Sequence, residues 1–202
     1  MLQYKAVDKT TLGLIKAIQS VPEFKALKLV GGTNLALQIG HRKSVDIDLF
    51  GKLELDSSFI VKKLKKIGNL KVISLSKTIN IFFLNNIKVD IVNYPYKWLN
   101  NPIISDRIKL ASLNDIAAMK LSAITNRGSK KDFIDIYFLL KKLSLKQMLL
   151  LYLQKYSEGN EFLVLKSLGY FDDAESEPMP FMFEKTEWSE VKNKIKQTVS
   201  EY

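Results

Sequence analysis

Apolar positions in the first half of the chain switch between two spacings, whereas those in the second half keep mainly one. Leu12, Leu14, Ile15 and Ile18 share one face of a helix that Thr10 or Thr11 can cap and that Val21-Pro22 ends. Residues 24–30 read as a first strand. A short helix from Thr33 then carries Leu35, Ala36, Leu37 and Ile39 as far as Gly40, a residue suited to the left-handed turn that closes helices. Residues 41–44 read as a loop and 45–50 as a second strand. Asp56 or Ser57 caps a helix to about Ile67, with Phe59, Ile60, Leu64 and Ile67 inward and lysines outward. Alternation returns at 70–76, 79–84 and 87–92, which read as three strands. Asn85-Asn86 joins the last two, because asparagine tolerates the positive φ of a two-residue hairpin turn.

Residues 95–109 show little pattern and read as a loop. After them the helical period takes over. Ser112-Leu113-Asn114-Asp115 resembles a capping box ahead of Ile116, Met119, Lys120 and Ala123. A second helix over 130–142 turns Phe133, Ile136, Tyr137 and Leu140 inward and sets Asp132 and Asp135 one turn apart. Further helices are expected at 145–156, 161–167 and 187–199, with the acidic, proline-punctuated stretch 171–180 as a loop. The pattern predicts an α+β (mixed α/β) fold: a mixed sheet flanked by helices over residues 1–105, then a helical half over 106–202 packed on it.

At 202 residues and 47% hydrophobic content the chain can bury a real core. It has no cysteine, which excludes disulfides and thiolate metal sites. The N-terminus lacks the layout of a signal peptide, and the longest apolar run, 148–153, is far too short for a membrane span. A cytoplasmic protein without membrane contact is the expectation. The net charge of +10 points mildly to a polyanionic partner such as RNA, DNA or an acidic protein.

The chemistry concentrates in Leu29-Val30-Gly31-Gly32-Thr33 and Ser44-Val45-Asp46-Ile47-Asp48-Leu49-Phe50. Residues two apart on a strand point the same way, so Asp46 and Asp48 project together while their neighbours enter the core. Two carboxylates on one face repel unless a cation sits between them, and Mg²⁺ is the usual one. Asp90, between Val89 and Ile91, supplies a third acid on another strand. Glycines allow close backbone approach and leave N–H groups that suit a phosphate.

A glycine pair, a gap of thirteen residues (33–45), an acid–hydrophobic–acid triplet and a later acid between hydrophobic residues resemble the polymerase-β-type nucleotidyltransferase superfamily. Gly31-Gly-Thr-Asn-Leu-Ala-Leu37, Gly40-His-Arg-Lys-Ser-Val-Asp-Ile-Asp-Leu-Phe50, Asp115-Ile-Ala-Ala-Met-Lys-Leu-Ser-Ala-Ile124 and Arg127-Gly-Ser-Lys-Lys-Asp-Phe-Ile-Asp-Ile-Tyr137 resemble its AbiEii/AbiGii-type toxins. The resemblance implies a nucleotidyltransferase-type sheet and the transfer of a nucleoside monophosphate from an NTP to an acceptor hydroxyl, for which the family allows a tRNA 3′ end. It implies that Asp46, Asp48 and Asp90 are catalytic and hold Mg²⁺ in a two-ion site, and that Gly31, Gly32 and Thr33 cradle the β and γ phosphates. Lys120 would neutralise the triphosphate, with Arg127 and Lys131 as further candidates. Asp132 and Asp135 would fix these cations or touch the nucleotide. It further implies the toxin of a toxin–antitoxin or phage-defence pair, with a cognate antitoxin as partner. The competing readings are a catalytically inactive nucleotide- or protein-binding module, and another Asp-x-Asp enzyme. Leu49-Phe50 fits the phosphatase pattern poorly, and a glycosyltransferase leaves Gly31-Gly32 unexplained.

Overall fold

The computed structural model describes residues 1–202, which divide into two units. The first comprises Met1–Gly40, Ser44–Tyr96 and Asn101–Ala111. The second comprises His41–Lys43, Lys97–Asn100 and Ser112–Tyr202.

All seven strands belong to the first unit: β1 (Lys28–Leu29), β2 (Ile47–Gly51), β3 (Leu70–Leu75), β4 (Ile79–Leu84), β5 (Ile87–Asn93), β6 (Ile103–Ser105) and β7 (Ile108–Leu110). They form one mixed sheet in the order β3-β4-β5-β2-β1-β7-β6. β2 runs parallel to β5 and β1 parallel to β7, and the other pairings are antiparallel. The unit also holds α1 (Lys9–Gln19), α2 (Gly31–Ile39) and α3 (Ser57–Leu64). Leu14, Ile15 and Ile18 of α1, Leu35 and Leu37 of α2, and Ile60 and Leu64 of α3 are buried, as are Ile47, Leu49, Phe82, Leu84, Val89 and Ile91 of the sheet. Alternate strand residues thus enter the core, and the acids of β2 and β5 are left on the other face.

The expected strand over 24–30 shrinks to two residues. Pro22, with its φ fixed, opens a 3₁₀ turn over Pro22–Phe24 and takes that stretch out of the sheet. Helix α2 starts at Gly31 rather than Thr33. The expected loop over 95–109 contains the β6–β7 hairpin, turned by Asp106 and Arg107 at φ 48° and 62°. A division at 105/106 therefore falls in that turn, and residues 101–111 stay with the sheet. The Asn85-Asn86 turn has both residues at positive φ, 51° and 63°.

The second unit is helical: α4 (Leu113–Asn126), α5 (Lys130–Leu140), α6 (Leu145–Lys155), α7 (Glu161–Leu168), α8 (Asp172–Glu175) and α9 (Trp188–Ser200). Side chains cap four of them. Ser112, Ser129, Ser144 and Asn160 each accept a hydrogen bond from the backbone three residues on, and Gln147 completes a capping box with Ser144. The expected loop over 171–180 contains the single turn α8. Inside the unit Asp115 and Lys155 form a fully buried ion pair of 2.7 Å. Asp115 also accepts from Leu99 N and Ser112 Oγ, and Lys155 donates to Lys97 O, which seats residues 97–100. Burial lowers the Lys155 ammonium below its usual range despite its partner.

Candidate active site

The acids of the first unit lie on the half-exposed face of the sheet. The parallel register sets Asp48 opposite Asp90, with Ile47 opposite Val89 and Leu49 opposite Ile91 turned into the core. Paired residues on neighbouring strands present their side chains to the same face. Asp46 precedes β2, and its carbonyl accepts from Thr33 Oγ1. Thr33 is buried and its hydroxyl oxygen also accepts from Ser44 Oγ (2.9 Å), so that hydroxyl ties α2 to the start of β2. Any part Thr33 has in holding a phosphate therefore falls to its backbone N–H.

Gly31 opens α2 at φ 68°, a conformation few other residues accept. A Cβ there would overlap Asp48 Oδ2, so only glycine lets this carboxylate lie against the helix start. The first turn of any helix leaves N–H groups without intrahelical partners, and here Gly31, Gly32 and Thr33 supply them. Asp90 is held through one oxygen by Lys88 Nζ (2.6 Å), while its buried Oδ1 has no partner. No three His, Cys, Asp or Glu side chains converge on one point as a metal-holding group. The donor chemistry nonetheless fits a hard cation: carboxylate oxygens are what Mg²⁺ takes, and the orphaned Oδ1 is an acceptor awaiting one.

In the second unit Lys120, Arg127, Asp132 and Asp135 come together, joined by Arg42 and by His41, a loop histidine that reads as incidental from the sequence. Asp135 is fully buried. It receives Arg42 Nε at 2.7 Å and Nη2 at 3.0 Å, His41 Nε2 at 2.7 Å and Lys120 Nζ at 2.5 Å. Asp132, also fully buried, receives Lys120 Nζ at 2.9 Å, Arg127 Nε at 2.8 Å and Ser129 Oγ at 2.7 Å. Lys120 is only 5% exposed, so its ammonium is spent on these carboxylates rather than turned to solvent. The Arg127 side chain stays 67% exposed, and Lys131 is exposed at the start of α5.

Burial alone would raise both aspartates. Lys120 and Arg127 at Asp132, and Lys120, Arg42 and His41 at Asp135, together outweigh it and hold both well below the usual carboxylate range. Burial would likewise lower Lys120, yet Asp135 and Asp132 lift it above the ordinary lysine value. His41 goes the other way. Burial outweighs its Asp135 bond and keeps the ring neutral, with Nε2–H donating and the buried Nδ1 unpartnered. A proton on Nδ1 would find no acceptor. The pairing of Asp132 and Asp135 with Lys120 and Arg127 matches one of the two roles the resemblance implies for them, whereas nothing in the local pattern named Asp135 as the partner of His41 and Arg42.

Comparison with known proteins agrees with this architecture. The chain is 39% identical over 182 residues to an uncharacterized protein of Aquifex aeolicus, covering 86% of each. Its fold is similar to that of JHP933 from Helicobacter pylori, with a TM-score of 0.62 at 14% identity over 96% of this chain and 92% of that one. It is also similar to MenT4, a nucleotidyltransferase toxin from Mycobacterium tuberculosis, with a TM-score of 0.57 at 12% identity over 95% and 83%. The model of the AbiEii nucleotidyl transferase toxins of type IV toxin–antitoxin systems matches residues 14–201. With nearly its whole length inside that match, the chain belongs to the AbiEii family of nucleotidyltransferase toxins.

Proposed function

We propose that the protein transfers a nucleoside monophosphate from an NTP to an acceptor hydroxyl on RNA in a Mg²⁺-dependent reaction, as the cytoplasmic toxin of a pair with its own antitoxin. The observation that carries the reading is the register of Asp48 with Asp90, one against the glycine start of α2 and the other with an unpartnered buried oxygen.

Asp46, Asp48 and Asp90 are the residues that would hold Mg²⁺. When bound, the ion supplies charge neutralisation on the phosphates and acidifies the attacking hydroxyl. The N–H groups of Gly31, Gly32 and Thr33 bind the β and γ phosphates at the positive end of α2. The acceptor oxygen forms its bond to the α phosphorus as the bond to the β-phosphate oxygen breaks, and pyrophosphate leaves. Asp90, besides offering its otherwise unpartnered Oδ1 to the ion, is the carboxylate proposed to receive the acceptor's proton. Arg127, oriented by Asp132, and Lys131 keep exposed positive charge of the kind that suits a phosphate group. Lys120 and Asp135 act through the buried cluster, which departs from a direct role on the triphosphate.

The test is incubation with each α-labelled NTP, MgCl₂ and total RNA. Label should enter RNA, and EDTA and the Asp48→Ala substitution should each stop it. Label that enters RNA equally with Asp48→Ala would remove the assignment. Label that enters protein instead would replace the acceptor.

A further inference from the structure

Residues 41–43 pair with 181–183 in a short antiparallel bridge inside the second unit. Lys43 N donates to Phe181 O at 2.9 Å and Phe183 N to His41 O at 3.0 Å, on either side of the Arg42–Met182 bridge. The His41 and Arg42 side chains are locked on Asp135, so this backbone is anchored in a buried ion cluster. On it stands Phe181, 62% exposed. Phe183 props the ring edge-on, with centroids 5.4 Å apart at 74°. Lys43 Nζ lies over the ring, 5.6 Å from its centroid.

A single exposed aromatic side chain is ordinary. One whose carbonyl is tied to Lys43 N, propped by a second ring and carrying a lysine over its face is a preorganised aromatic surface with a positive charge in contact with it. That combination suits the planar face of a nucleobase with its neighbouring phosphate, since base–aromatic stacking and lysine–phosphate attraction act together on single strands. The +10 charge of the chain favours the same class of ligand. The chain itself also ties this seat to the acids. Lys43 precedes Asp46 by three residues, so covalent geometry limits their Cα separation to about 10–11 Å.

We propose that Phe181 and Lys43 form a seat for a nucleobase and adjoining phosphate of the acceptor RNA in single-stranded form. The proposal rests on the nucleotidyl-transfer reading and adds the place where the acceptor is held. Stacking on Phe181 gives affinity without base identity, because every base offers a π face.

The experiment is fluorescence anisotropy with a labelled short single-stranded oligoribonucleotide, an abasic oligomer of equal length, and a labelled non-hydrolysable NTP. Phe181→Ala should weaken the oligoribonucleotide by roughly five- to a hundredfold, and Phe181→Trp should restore or exceed wild-type binding. The abasic oligomer should bind both variants alike, while Lys43→Gln should weaken both oligomers. Unchanged oligoribonucleotide binding by Phe181→Ala overturns the seat, as does equal loss on the abasic probe or failure of Phe181→Trp to rescue. Loss confined to the NTP also overturns it, because the ring would then serve the donor. Label transfer by the wild-type chain is measured separately, so its absence counts against the activity and not against the seat.

Discussion

Two pairs of aspartates in this protein do opposite things with the same functional group. Asp132 and Asp135 are fully buried and each is surrounded by donors: lysine, arginine, histidine or a serine hydroxyl. Asp48 and Asp90 lie half-exposed on a sheet face, and one oxygen of Asp90 is buried with no partner. A saturated carboxylate has no lone pair left for a ligand, and its charge holds other chain segments in place. An undersatisfied one beside another acid is poised for a cation. The sequence patterns of the two pairs, Asp-x-x-Asp and Asp-x-Asp with a distant third, do not reveal this difference; their partners do.

The largest expected effect lies on the sheet face. Asp48→Asn should lower nucleotidyl transfer at least about a hundredfold while shifting unfolding free energy by less than about 1 kcal/mol, as read by label transfer and urea titration of the same sample. On the saturated side the order reverses. Asp135→Ala leaves Arg42 buried without its counter-charge and Lys120 with Asp132 alone, and should destabilise the fold by about 3–5 kcal/mol, seen as a lower urea midpoint. Equal destabilisation by the two substitutions would erase the distinction.

Acid should sharpen it. Burial holds His41 below its ordinary 6.5, so the unfolded chain takes a proton that the folded chain refuses. Stability is then full above pH 6.5 and falls as pH drops through the lower folded value, with a slope of at most about 1.4 kcal/mol per pH unit for that one proton. Asp132 and Asp135, held below 3.8, lose their contribution further down as they protonate. Lys120, raised above 10.5, loses its contribution only as alkali passes its folded value. Urea midpoints measured against pH should show the first acid step, and His41→Gln should remove it.

How much of this was legible in the chain follows from the range of each interaction. Caps and turns act over two to four residues. Ser112 and the Asn85-Asn86 turn could therefore be read directly, and so could the placing of Asp48 and Asp90 on strands. The β6–β7 hairpin was missed because its strands have three residues each and its turn is Asp106-Arg107, without the usual asparagine or glycine. The burial of Lys120 was hidden for another reason. A lysine on a helix reads as solvated until the carboxylates that neutralise it are known. Arg42 and Asp135 are 93 residues apart, a separation no periodicity reports.

The smallest expected effect concerns Lys88, whose ammonium occupies one oxygen of Asp90. Lys88→Ala removes a partly exposed ion pair worth about 1 kcal/mol or less, and should tighten Mg²⁺ binding by no more than roughly fivefold. A thermal-shift titration with MgCl₂ reads this, and weaker binding would show that Lys88 supports the acids instead of competing with the ion.

The Asp48–Asp90 pair is the proposed seat of the divalent ion, and calorimetric titration of Mg²⁺ with a non-hydrolysable NTP present tests it most directly. Wild-type protein should bind the ion with a measurable heat, and Asp90→Asn should weaken that binding at least about tenfold. Wild-type-like Mg²⁺ affinity in Asp90→Asn would contradict the account.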